Sequence, residues 1–165
     1  MDIQRRQLSL ALPALVLPRW AAAAPAQPGQ AVAWPLVTLL DGTRWTAAHW
    51  QDRAAVVVFW STTCPFCRRH NPHVDKLHRA ALAVQAPLQV LGVARETDAA
   101  AVRRYAQQQG YSFPITLDTA PLAAALSERR VIPLTATVDR QGRLKQLLAG
   151  EMFEEDVLEL LALAR

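Results

Sequence analysis

The chain has 165 residues, 52% of them hydrophobic and 19% charged, which is enough for one domain with its own core plus a short extension and is not the composition of a disordered chain. Part of the net charge of +4 lies near the amino end; setting aside Arg5, Arg6, Arg19 and Asp2 halves it, leaving too thin and scattered an excess for nucleic-acid binding. Only two cysteines occur, three positions apart, so a framework of structural disulfides is excluded.

Residues 1–26 have the layout of a signal peptide: a basic start at Arg5-Arg6, an apolar run to about Leu17, and small residues from Ala21 to Ala24 and at Ala26. Cleavage is expected after Ala23 or Ala26. The paired arginines resemble a twin-arginine export signal. A membrane-spanning helix needs about 20 apolar residues, whereas this run is shorter and carries Pro13 and Pro18. Export is therefore expected, into a bacterial periplasm. Residues 27–33 read as a flexible lead-in to a domain spanning 34–165.

In chain order, Leu36 to Leu40, Asp41-Gly42 and Thr43 to Thr46 predict a hairpin, with Asp-Gly supplying the positive-φ turn. Val56 to Trp60 is a continuous β-branched and aromatic run, as in a strand covered on both faces. The cysteines open a helix with apolar positions at Phe66, Val74, Leu77 and Leu82, where Pro65 fits the first turn and Pro72 predicts a kink. Leu88 to Ala94 predicts a second buried strand. Thr97 is placed as the cap of a helix running to Gln109 and stopped by Gly110. A short helix from about Pro121 to Arg129 follows. Thr135–Val138 and Leu144–Leu148 flank the turn Asp139-Arg140-Gln141-Gly142, and an apolar helix over about Glu154–Ala164 closes the chain. Strands alternating with helices, then a late hairpin, predict an α/β fold with a mixed central sheet flanked by helices.

Cys64-Pro65-Phe66-Cys67 stands at a strand-to-helix junction. Two thiols at this spacing close a small disulfide ring, and the first lies where free N–H groups and the helix dipole favour a thiolate. Cys64 is thus the expected nucleophile, and Cys67 the thiol that resolves the mixed disulfide. Cys64, Cys67, His70 and His73 also offer four zinc ligands, but all share one helix, which cannot close a tetrahedron around one ion. No metal and no cofactor are expected. A peroxidatic cysteine wants a proline upstream, where Val57 stands.

Phe59-Trp60-Ser61-Thr62-Thr63-Cys64-Pro65-Phe66-Cys67-Arg68-Arg69, then Asn71-Pro72, Phe113 to Asp118, Ile132-Pro133-Leu134-Thr135 and Val138 to Gly142 resemble the TlpA/ResA-like branch of the thioredoxin superfamily over nearly all of residues 34–165. The resemblance implies a thioredoxin-like fold with an amino-terminal hairpin extension, and a cis Ile132–Pro133 bond lying against the cysteines. It also implies thiol–disulfide exchange with protein thiols and disulfides on the outer side of the cytoplasmic membrane. In many family members the electrons come from a membrane relay and serve cytochrome c maturation. Pro133, Ile132, Trp60 and Phe66 are the expected substrate-binding surround, although Trp60 also suits a core position, and Thr135 belongs with the proline loop.

Three departures stand out. Val58 replaces the buried Asp of thioredoxins, Thr63 replaces the Trp before the first cysteine, and His70 replaces a Glu typical of this branch. His70 is accordingly expected either to handle protons for the thiols and raise the local positive charge, or to be a solvated helix residue. Glu96 matches an acidic position in some relatives and is a second proton-handling candidate. His49, His73 and His78 are expected at the surface. The expected protein is a monomeric, periplasmic disulfide reductase; the competing class is a thioredoxin-fold binding or chaperone module whose cysteines do not cycle or hold zinc.

Overall fold

The computed structural model describes residues 24–165, so the leader read over residues 1–26 falls almost wholly outside the described residues. A five-stranded mixed sheet in the order β5-β4-β3-β6-β7 forms the centre. β3 (Ala54–Trp60) and β4 (Leu88–Ala94) pair in parallel and are buried at every position, as unbroken apolar runs require. β6 (Leu134–Val138) runs antiparallel to β3, and β7 (Leu144–Ala149) antiparallel to β6. β5 is a two-residue strand, Ile115–Thr116, parallel to β4 at one edge. Sequence pattern predicts no strand there, because two residues carry no periodicity.

The helices are α1 (Pro65–Ala83), α2 (Ala99–Gln109), α3 (Thr119–Leu126) and α4 (Glu154–Glu159), the last continuing as a 3-10 turn over Leu160–Ala164. One sheet face packs Val56, Val58 and Trp60 with Cys67, Val74, Leu77, Val102 and Val157 from α1, α2 and α4. The other packs Val57, Phe59 and Leu91 with Leu122 and Leu126 of α3. α1 passes through Pro72 as one unbroken helix. α2 is capped by Asp98 rather than Thr97: the Asp98 carboxylate accepts from the Ala100 and Ala101 N–H groups at 2.9 and 3.0 Å. α3 begins and ends earlier than the pattern predicts. Beyond Ser127 the carbonyls of Arg129 and Arg130 instead accept from the Arg95 guanidinium, each at 2.7 Å.

The hairpin is shorter than its pattern predicts: β1 (Val37–Thr38) pairs with β2 (Arg44–Trp45) around the Asp41-Gly42 turn, where Gly42 has φ 89°. It docks on the β5 edge through a Leu39–Thr116 bridge. The lead-in over 27–33 is not free of the domain. Val32 is buried, and Gly29 and Val32 donate to the Leu144 and Gly142 carbonyls at 2.7 and 2.9 Å. Between them, these two amino-terminal segments cover parts of both sheet edges, which would otherwise offer unpaired backbone.

Candidate active site

Strand direction assembles the site. Because β6 runs against β3, Leu134 at the start of β6 pairs with Phe59, which brings Pro133 to the end of β3, and the ends of β4 and β7 reach the same rim. Cys64 follows β3 and is the N-cap of α1; Cys67 lies in the first turn. The Cys67 N–H donates to Cys64 Sγ at 3.1 Å, so one of the unsatisfied donors of the helix start faces the first sulfur. Cys64 is half-buried and Cys67 fully buried. Burial, and then the hydrogen bond to Cys64, pushes the Cys67 thiol up to about 12.

The Ile132–Pro133 bond is cis, as the resemblance implies, and the Ile132 carbonyl lies 3.9 Å from Cys64 Sγ. Pro133 itself is buried, and Ile132 is half-buried against the core. Phe66 is 53% exposed, with the Arg69 guanidinium 4.9 Å above its ring, and Arg69 pairs with Glu151 at 2.7 Å. Trp60 is a different case. It is wholly buried between Gly92 and the Tyr105–Tyr111 pair, so it belongs to the core and presents no surface to a substrate.

His70 fits neither expectation held for it. It is fully buried, not solvated: its Nδ1 accepts from the Met152 N–H at 3.2 Å and its Nε2 lies 3.3 Å from Thr135 Oγ1. That pattern puts the proton of the neutral ring on Nε2, donated to Thr135, and leaves neither nitrogen free. Burial first, and then His73, pushes the ring down to about 4, against the opposing pull of Glu151 and the Met152 bond. His70 therefore adds no positive charge near neutrality. It ties the segment after β7 to the start of β6.

Glu96 holds a loop with one carboxylate oxygen, while its other oxygen is buried without a hydrogen-bond partner. One carboxylate oxygen accepts from Ser61 Oγ at 2.8 Å, Thr62 N–H at 2.5 Å and Thr62 Oγ1 at 2.9 Å, gripping the loop that delivers Cys64. Arg95, which is not among the residues expected at the site, grips the opposite wall. Besides its bonds to the 129–130 carbonyls, its backbone N–H donates to the Trp60 carbonyl at 2.9 Å and its guanidinium stacks 5.5 Å from the Phe59 ring. No motif marks such a residue. His78 is buried rather than exposed, and His73 faces Glu154 at 3.3 Å. Among the described residues no His, Cys, Asp and Glu side chains cluster as a metal site.

The redoxin family profile matches residues 23–161. The chain belongs to the redoxin family. Within it, the chain is similar to the thiol–disulfide oxidoreductase ResA of Geobacillus kaustophilus, at 25% identity over 122 residues, 74% of this chain and 69% of that protein. It is also similar to the thioredoxin-like protein YneN of Bacillus subtilis, at 24% identity over 75% of this chain and 72% of that one. The fold matches a thioredoxin-family thiol:disulfide interchange protein from Chlorobium tepidum, with a TM-score of 0.73 and 23% identity, covering 86% of this chain and 99% of that one. This redoxin is a TlpA/ResA-like member of the thioredoxin superfamily and a thiol–disulfide oxidoreductase.

Proposed function

We propose that the chain is an exported disulfide reductase in which Cys64 attacks and Cys67 resolves. The observation that carries this reading is the inequality of the two sulfurs. Cys64 is reachable and receives a backbone N–H at the helix start; Cys67 is enclosed and holds its proton. Reduced protein attacks a substrate disulfide through Cys64, forming a mixed disulfide and releasing one substrate thiolate. Cys67 then attacks Cys64, which frees the second substrate thiol and leaves Cys64–Cys67 oxidised.

Ile132, Pro133 and Phe66 form the substrate wall in this reading. Exposed Phe66 and Val131 offer apolar contact beside Cys64, and a shallow cleft of about 810 Å³ runs from Arg95 and Glu96 towards Arg129 and Arg130. Pro133 brings no N–H, and an extended peptide can pair with neighbouring backbone there. Glu96 and Arg95 position the two walls, and His70 braces them from beneath.

Export to the periplasm rests on the leader pattern of residues 1–26. Cleavage after Ala23 keeps Ala26, which is buried and whose N–H donates to the Ala125 carbonyl at 3.0 Å. The protein acts as a monomer, takes electrons from a membrane relay and serves cytochrome c maturation. The test is the reduction potential against a dithiothreitol buffer, with Cys67→Ser used to trap substrates from a periplasmic extract. A potential near that of thioredoxin, about −270 mV, supports a reductase. One near −120 mV makes the protein an oxidant, and a pair that does not cycle but binds one zinc overturns the reading.

A further inference from the structure

The helix that carries the cysteines breaks an electrostatic rule. A helix start is the positive end of the helix dipole and favours acidic side chains, yet the first turn of α1 holds none, and Arg68 and Arg69 follow directly after Cys67. Arg69 is answered by Glu151 at 2.7 Å. Arg68 is exposed, and its backbone N–H donates to the Cys64 carbonyl at 3.1 Å, so its charge is carried one helical turn from the reactive sulfur.

The opposite wall repeats the pattern. Arg129 and Arg130 are exposed, and their carbonyls are held by the Arg95 guanidinium, which brings a third positive group to the same place. Burial, and then the charge of Arg130, pushes the Arg95 guanidinium down, as like charges at close quarters do. Two residues beyond Arg130, the Ile132 carbonyl lies 3.9 Å from Cys64 Sγ. Among the described residues the ion pairs are made by Arg69, His73, Lys76 and Arg79; Arg68, Arg129 and Arg130 have none.

Two carboxylates share this cleft, Glu96 and Glu128. Glu96 offers little to a visitor, because one oxygen serves the Ser61–Thr62 loop and the other is buried. Glu128 alone stands against Arg129 and Arg130 and pairs with neither. A positive excess therefore flanks Cys64 on both sides, without the counter-charge that would stabilise it. Departures from local rules of this kind are expected where a surface serves function.

We propose that the disulfide of the protein partner lies in an acidic segment, whose carboxylates meet Arg68 on one side of Cys64 and Arg129 and Arg130 on the other. This rests on the exchange reaction proposed above and narrows its substrate; the bonds made and broken are those already given. The open cleft of about 810 Å³ beside Arg129 and Arg130 receives the flanking chain. Complementary charge acts more on the rate of encounter than on final affinity, and salt screens it.

Two synthetic peptides test this, each closed by an intrachain disulfide and differing only in glutamates or lysines beside the cysteines. Their reduction by the dithiol form of the protein is followed by acid quenching and mass spectrometry. In low salt the acidic peptide is expected to react at least about tenfold faster, the low end of electrostatic steering. The ratio should fall towards one in about 1 M salt, where the screening length is about 3 Å. Arg129→Glu combined with Arg130→Glu should lower the low-salt ratio about tenfold, and Arg68→Glu should lower it by less. Equal rates for the two peptides with the wild-type protein overturn the proposal, as does a ratio that survives both sets of changes. Slowing of both peptides alike also overturns it, since the arginines would then act on the sulfur or the fold and not on the partner. Neutral bis(2-hydroxyethyl) disulfide separates the two readings. A dithiol that does not reduce it overturns the exchange reading itself, whereas one that reduces it without preferring the acidic peptide overturns this inference alone.

Discussion

The two cysteines share a residue type and one helical turn but sit in different media. Around Cys64 the chain is open: Phe66 and Val131 face solvent, Ile132 offers a carbonyl, and the sulfur accepts an N–H. Around Cys67 it is closed, with Trp60, Asn71, Val74 and the tyrosine pair behind it and no exposed surface. Reactivity follows the medium. A thiolate is cheap where dipoles and water meet it and costly where burial does not compensate its charge.

Breaking the comparison outright gives the largest effect. Cys64→Ser is expected to abolish exchange, whereas Cys67→Ser keeps the first attack and accumulates the mixed disulfide, visible by mass spectrometry. If Cys64→Ser still forms mixed disulfides, the roles are reversed.

The closed side should tolerate no added volume. A Cβ on Gly92 would stand 2.6 Å from a Phe113 ring carbon and 2.9 Å from Trp60 Nε1. Gly92→Ala is thus expected to destabilise by about 1–3 kcal/mol, the usual cost of overpacking, read from urea unfolding; an unchanged midpoint would show that these rings give way. On the open side, Glu96→Ala removes the acceptor for three donors of the Ser61–Thr62 loop. It should cost about 1–3 kcal/mol and alter the alkylation rate of Cys64 without changing the secondary structure.

His70 sharpens the contrast through pH. Its folded value of about 4 lies below the usual 6.5, so between those values the unfolded chain binds the extra proton. Stability contributed by the neutral ring is present above about 6.5, falls as pH drops through that window, and is fully lost below about 4. His49 and His78, also lowered chiefly by burial, act in the same direction. His70→Gln should flatten part of this slope in urea titrations at several pH values; an unaltered slope would place the titration elsewhere. The smallest effect belongs to Phe66→Ala. Being exposed, it should shift stability by less than about 0.5 kcal/mol, yet slow exchange with a protein substrate more than with dithionitrobenzoate.

Much of the fold is legible in the sequence because its signals are periodic. The unbroken apolar runs of β3 and β4 announce strands covered on both faces, and Asp-Gly at 41–42 announces a turn. The cysteine pair is legible from spacing, and the cis bond at Pro133 from resemblance. What stays hidden depends on tertiary partners. Nothing local reveals that His70 meets Thr135 and Met152, 65 and 82 positions away, or that Glu96 grips Ser61 and Thr62. The lead-in is hard to read for the same reason: its polar composition hides backbone bonds to Gly142 and Leu144. Trp60 shows the converse, since a residue beside a reactive cysteine can be core because the strand that carries it is central.

The central claim is that the two thiols are unequal. Alkylation of the reduced protein by iodoacetamide, followed by peptide mass spectrometry across a series of pH values, tests it directly. The account predicts that Cys64 is modified alone throughout the range in which the chain stays folded, and that Cys67 reacts only after denaturation. Equal labelling of both, or Cys67 labelled first, would contradict it.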